Sequence, residues 1–173
     1  ELNDQGDVPL TTADGIVISK EGMLAALADS SNAKDVPVIA GANRDEVTLW
    51  MSRHRYFVNA DYMLTRWLPP RITLRDPDLY AFCARIPSEA WKLRGVDEPL
   101  IAMEAAGYPD LYAYRFDWDD QEISFFADFP HLIGAAHAID IAFVTGTYTY
   151  GPISSYVYPE GESRDQMQEL MMS

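Results

Sequence analysis

Hydrophobic positions along the chain come in short runs whose period changes several times. Residues 1–15 are rich in Asp, Gly, Pro and Thr and predict a loop, and Gly22 then precedes a short helical turn over 23–28. The compact apolar run over 35–41, bounded by Lys34-Asp35 and Gly41-Ala42-Asn43, predicts a buried strand. A helix-like stretch is expected from Glu46 until Trp67-Leu68-Pro69-Pro70 breaks it. Asp76-Pro77 is a helix start, an N-cap followed by proline at the first helical position. Leu79, Phe82, Cys83 and Ile86 then fall on one predicted apolar face. Pro87 should end that helix, with Ser88 opening another that carries Trp91. Asp97 is expected to cap a third, with Leu100, Ile101 and Met103 inside and Gly107 as its C-terminal cap.

Over 110–118 the period changes to alternation, and Leu111-Tyr112-Ala113-Tyr114-Arg115-Phe116 predicts a strand. Residues 119–138 are expected to form a long ordered loop, a usual location for function. Ser163 with Gln166 has the spacing of a capping box, opening a helix with Met167, Leu170 and Met171 on one face. Two separated strands with helical insertions predict an α/β chain. Two strands leave edges and a face bare, so the sheet is expected to be incomplete on its own.

Composition narrows the function classes. The 173 residues are 48% hydrophobic, enough for a sizeable core, and the formal net charge is −14. That balance repels phosphate backbones and anionic lipid, which argues against nucleic acid as a partner. No apolar run approaches the roughly 18 residues of a membrane span. A single cysteine, Cys83, excludes a disulfide framework and a Cys-rich zinc site, and is compatible with a reducing compartment. The spacing of His131 and His137 is not a metal-binding one, and His54 between two arginines fits a solvated surface histidine.

Two segments could carry chemistry. Gly41-Ala42-Asn43-Arg44-Asp45-Glu46 puts acids directly after the first strand, where open α/β sheets hold ligands, although such acids also serve as plain turn or cap residues. His137, in Gly134-Ala135-Ala136-His137-Ala138-Ile139-Asp140, follows the second strand. It is suited to a general base and equally to a structural hydrogen-bonded role. Acid and then histidine is the chain order of the α/β-hydrolase triad, whose serine comes first. None of the ten serines stands in a Gly-x-Ser-x-Gly elbow, and no glycine run is present to build an oxyanion hole.

The segment from Val36 through Gly41-Ala42-Asn43-Arg44-Asp45-Glu46 closely resembles the one bearing the acidic triad member in type-B carboxylesterases, the cholinesterase-like family. Residues 110–119 resemble that family's last major strand, and 134–146 its catalytic-histidine loop. Asp14-Gly15-Ile16-Val17-Ile18 resembles its pocket-lining Asp-Gly stretch. The resemblance implies the C-terminal part of an α/β-hydrolase fold, with 1–173 one segment of a single catalytic domain trimmed at both ends. It makes Glu46, rather than Asp45, the triad acid and His137 the base. Asp140 stands where a glutamate is usual, behind the histidine, and Thr145 where an aromatic is usual.

The implied activity is serine carboxylic-ester hydrolysis, which needs no metal or organic cofactor. The partners would be a small ester substrate and the N-terminal half of the esterase, in the same or a separate chain, carrying the nucleophile. On its own the chain is expected to be inactive. Tyr56, Phe57, Trp67, Phe125 and Phe126 are candidates for lining the substrate pocket or for plain core. The alternative is a non-catalytic binding or adhesion protein on the same scaffold.

Overall fold

A computed structural model of the chain describes residues 13–62 and 69–173. The expected loop over 1–12 and the break at Trp67-Leu68 lie outside the described residues. The protein is mixed α/β with few strands, arranged as one parallel and one antiparallel pair. It divides into two compact units, 1–39 with 97–112, and 40–96 with 113–173. Among the described residues no helix is long and apolar enough to cross a membrane.

In the smaller unit, helix α1 (Met23–Ala28) follows Gly22 and packs on α4 (Glu98–Ala106). Gly107 ends α4 in the left-handed conformation, as its position predicts. Asp97 is not an N-cap: its backbone is helical because the chain enters α4 from a π-helical turn, Leu93–Asp97. Met103 is buried, but Ile101 is exposed. Ahead of α1, the Asp14 carboxylate accepts the backbone N–H groups of Ile16, Val17 and Ile18 and closes a tight loop. These bonds hold the Asp14 carboxyl below the usual aspartate range.

Strands β1 (Val38–Asn43) and β4 (Leu111–Phe116) pair, beginning in the smaller unit and ending in the larger. Val38 N–H donates to Asp110 and Arg44 N–H to Phe116, so the register keeps the same offset along both strands, as a parallel pair requires. β1 starts later than the apolar run suggests and is not a buried strand. Val36 and Ile39 are exposed, and only Ala42 and Asn43 near its end are buried. With one neighbour, the pair cannot cover both faces of its first residues.

The larger unit departs most from the periodicity. After Glu46 the chain makes only one helical turn, α2 (Thr48–Met51), and then an antiparallel pair of β2 (Val58–Asp61) and β3 (Arg71–Leu74), with Val58 opposite Leu74. Four-residue strands are too short to show an alternation. Helix α3 (Pro77–Lys92) begins as predicted, with the Asp76 carboxylate accepting Leu79 N–H, and then runs straight through Pro87. A mid-helix proline forfeits one hydrogen bond at a cost of about 3 kcal/mol, which packing along the helix offsets. The packed face is Tyr80, Ala84 and Ser88. The face of Leu79, Phe82 and Ile86 is exposed.

The segment expected to be a loop, 119–138, contains a bridge between Ile123 and Asp128 and a short helix, α5 (Phe129–Leu132). It contributes Ala127, Phe129, Leu132, Ile133, Ala135 and Ala136 to the core. Helix α6 (Asp140–Thr145) adds Phe143, whose ring meets Phe116, Trp118, Tyr148 and Tyr158 at centroid distances of 4.8–6.0 Å. Helices α7 (Ser154–Val157) and α8 (Glu162–Met172) complete the unit. The capping box is absent. Gly161 precedes α8, while the Ser163 hydroxyl accepts from Trp118 Nε1 and donates to Asp120. Met167 and Met171 pack on the core and Leu170 is exposed.

Because Phe143 is fully buried among four rings, Phe143→Ala should destabilise the larger unit by about 3–5 kcal/mol. Chemical denaturation of the two proteins side by side checks this.

Candidate active site

The chemistry-bearing residues sit on two irregular segments of the larger unit: the turn after β1, and the 132–137 segment before α6. Residues 132–136 are buried without belonging to a sheet; the N–H groups of 132–134 bond back to α5 and its cap, and most of the carbonyls take their partners from side chains. Tyr80 OH donates to Leu132 O at 2.7 Å, and the Thr48 hydroxyl lies 2.6 Å from Ile133 O. Gln121 Nε2 donates to Gly134 O at 2.8 Å. Ala135 N–H donates to the Asp45 carboxylate at 3.1 Å, and its carbonyl accepts Asp45 N–H at 3.0 Å. Asn43 Nδ2 donates to Ala136 O at 2.6 Å, and His137 N–H donates to Glu46 O at 3.2 Å.

This lacing brings Glu46 and His137 together. Glu46 is only 4% exposed. Its Oε1 accepts the Asn43 N–H at 2.8 Å, and its Oε2 lies 2.7 Å from His137 Nδ1. A carboxylate at Oε2 requires Nδ1 to carry a proton, so in the neutral ring the lone pair is the one on Nε2. Nε2 has no hydrogen bond among the described residues, and the imidazole side chain is 40% exposed. A buried acid thus fixes the tautomer of a histidine whose other nitrogen is open.

Asp45, the neighbour of Glu46, faces elsewhere. Its carboxylate takes Arg44 Nε at 2.9 Å, and Arg44 also reaches Asp119 at 2.6 Å. Burial alone would lower the Arg44 pKa, but the two carboxylates more than reverse this and leave it raised. Gly134, at φ +56°, is needed here, because a Cβ would fall 2.6 Å from the Asp45 carboxylate. Asp140, the first residue of α6, does not touch Glu46. Its Oδ1 accepts from Asn43 Nδ2 at 3.0 Å and its Oδ2 from Tyr114 OH at 3.1 Å. It therefore reaches the pair through Asn43. The Tyr114 ring crosses β1 where Gly41 leaves room, and a Cβ at Gly41 would overlap the ring.

The aromatic surroundings of His137 are Trp50 and Trp91. Trp50 stacks on the imidazole at 5.3 Å, Trp91 lies at 5.2 Å, and the two indoles are 6.0 Å apart. The sequence reading names neither as a pocket residue. The available signal is position: Trp50 is four residues after Glu46, which returns it to the same side of a helical turn. The residues that it does name lie apart from the histidine. Tyr56 is exposed and packs edge-on against Phe57, which turns to Tyr80. Phe125 packs against Phe126, lies under Arg71 and lines a cavity of about 500 Å³ with Ile72 and Leu132. Trp67 is outside the described residues. Thr145, near the end of α6, bonds back to Ile141 O.

The other histidines are exposed, His131 beside Asp128 and His54 accepting Tyr56 N–H. Among the described residues no group of three or more His, Cys, Asp or Glu side chains is placed to hold a metal ion.

Asn43→Ala should destabilise the protein by about 1–3 kcal/mol, since it strips a donor from the Ala136 carbonyl and from Asp140. Denaturation midpoints check it. Burial and the Asp140 carboxylate push the Tyr114 phenol up to about 12, against about 10 in an unfolded chain. The folded state therefore favours the neutral phenol. Its contribution is complete below pH ~10 and is lost as the pH rises through about 12. A phenolate-absorbance titration should show one fewer late-ionising tyrosine in Tyr114→Phe than in the wild type, the lost step lying near pH 12. Compared with known proteins, the chain matches no family model and no curated protein.

Proposed function

We propose that this chain supplies the acid and the base of a serine carboxylic-ester hydrolase of α/β-hydrolase fold. The nucleophilic serine and the oxyanion donors would come from another stretch of polypeptide. The observation that carries this reading is the 2.7 Å contact of His137 Nδ1 with a Glu46 carboxylate buried to 4% exposure, with Nε2 left open. Two further features support it. The acid follows the end of β1 and the histidine follows β4, the order and location that triad residues take in open α/β sheets. His137 is also held at its backbone by Glu46, and the preceding Ala135 and Ala136 are tied to Asp45 and Asn43, which fixes the position of the imidazole.

In this reaction His137 Nε2 takes the proton of the serine hydroxyl as its oxygen attacks the ester carbonyl. It then hands that proton to the departing alcohol oxygen. Glu46 keeps Nδ1 protonated and stabilises the imidazolium while it lasts. In the second half, His137 draws a proton from water, which attacks the acyl carbon, and returns it to the serine. Asn43 and Asp140 hold the acid in place without touching the reacting atoms.

In the full-length protein, Glu46→Gln should lower kcat on a simple acetate ester on the order of 10⁴-fold, and His137→Ala on the order of 10⁶-fold. Steady-state kinetics on folded variants checks both. Fluorophosphonate labelling tests the class directly: a labelled serine that needs His137 supports the esterase. A folded protein that takes no label, and turns over no ester, favours a binding protein instead.

A further inference from the structure

Among the described residues that carry a side chain, Ala138 alone has a positive φ, at 67°. It stands directly after His137. Ile139 N–H donates to Ala136 O at 3.2 Å, which closes a tight turn with His137 and Ala138 at its two central positions. A positive φ at the second central position only is the pattern of a type II turn, where glycine or asparagine is the usual residue. A residue with a Cβ escapes that conformation by turning over the peptide between the two central residues, which gives a type I turn with the same ends. Such a flip changes ψ of His137, and with it the rotamers open to the imidazole.

The surroundings hold the less relaxed form. Ala136 and Ile139, at the two ends of the turn, are both 0% exposed, a burial that further polypeptide cannot reverse. The Ala136 carbonyl also accepts from Asn43 Nδ2 at 2.6 Å, and the Ile139 carbonyl accepts from Tyr158 OH at 3.4 Å. Glu46 holds the histidine at its own N–H, at 3.2 Å, and at Nδ1, at 2.7 Å. On the other side, the histidine is joined to α6 only through Ala138 and Ile139. We propose that Ala138 is a positioning residue for the base. The left-handed backbone at 138 fixes the direction from which the imidazole meets Glu46, and the side chain at 138 governs how firmly His137 is held there. The kinetic consequence rests on the esterase reading of the site, and the turn itself does not.

The test replaces Ala138 in the full-length protein by asparagine and by threonine, two polar side chains of similar volume. Asparagine tolerates the left-handed region and a β-branched residue does not. On a simple acetate ester, Ala138→Asn should keep most of kcat. Ala138→Thr should lose about tenfold in kcat with KM little changed. A merely steric role for position 138 would affect the two variants alike. The NMR signal of the proton on His137 Nδ1, identified by its loss in His137→Ala, should persist in Ala138→Asn and weaken in Ala138→Thr. Equal losses in both variants, or none in either, overturn the inference and leave the esterase reading standing. If Ala138→Thr does not fold, the asparagine variant decides: retention of kcat and of the proton signal supports the inference, and loss of both overturns it. If the wild type hydrolyses no ester, the esterase reading falls, and the proton signal alone decides the role of Ala138 in the same way.

Discussion

A peptide segment that is buried outside a helix or sheet must find a partner for each of its polar groups. In the 132–137 segment, side chains from elsewhere serve the carbonyls of Leu132, Ile133, Gly134 and Ala136 and the N–H of Ala135, while backbone groups serve the N–H groups of 132–134 and 137 and the carbonyl of Ala135. The side-chain partners come from the turn after β1 and from α2, α3 and the chain following β4. Most of the unit's irregular architecture follows from this constraint. α3 turns Tyr80 inward to reach Leu132 and presents Ser88 to Val47 N–H, and Gln121 is buried to serve Gly134. Backbone satisfaction and the placement of His137 are therefore one structural fact.

The buried carboxylate of Glu46 depends on the same lacing. An acid at that depth is tolerable only with both oxygens bonded, and its two donors come from Asn43 N–H and the imidazole. Asn43 in turn ties the turn to Ala136 and Asp140, and Tyr114 reaches Asp140 across a strand that has glycine at the crossing point. Gly41 and Gly134 answer different needs: one admits a ring and the other admits a carboxylate beside a left-handed backbone. Ala138, directly after the histidine, also has a left-handed φ of 67°, uncommon for a residue with a side chain. Ala136, two residues before it, and Ile139, directly after it, are both fully buried, which holds the chain in that conformation.

The hydrophobic core complements this polar frame rather than surrounding it. Phe143 gathers Phe116, Trp118, Tyr148 and Tyr158 on the side of α6 reached just after His137 and Asp140. Burial pushes the phenols of Tyr80 and Tyr158 up, as expected for hydroxyls enclosed in apolar surroundings. One short stretch of chain thus anchors the core and presents the histidine.

Local chemistry made part of this legible in the amino-acid order. Asp76-Pro77 starts a helix because the Asp76 carboxylate reaches Leu79 N–H within three residues, and Gly107 ends one because only glycine takes that backbone conformation cheaply. The aromatic alternation of β4 and the order of acid before histidine are likewise readable without a fold. What the sequence could not decide is settled by partners far along the chain. Of two adjacent acids, Glu46 meets a histidine 91 residues away, while Asp45 meets Arg44 and Ala135. The buried side of α3 is the one that faces the 132–134 backbone, not the more apolar one. Trp50 and Trp91 flank His137 because α2 and α3 converge there. Caps and turns rest on atoms within a few residues, whereas pairing, burial and ring contacts depend on which distant segments the fold brings together.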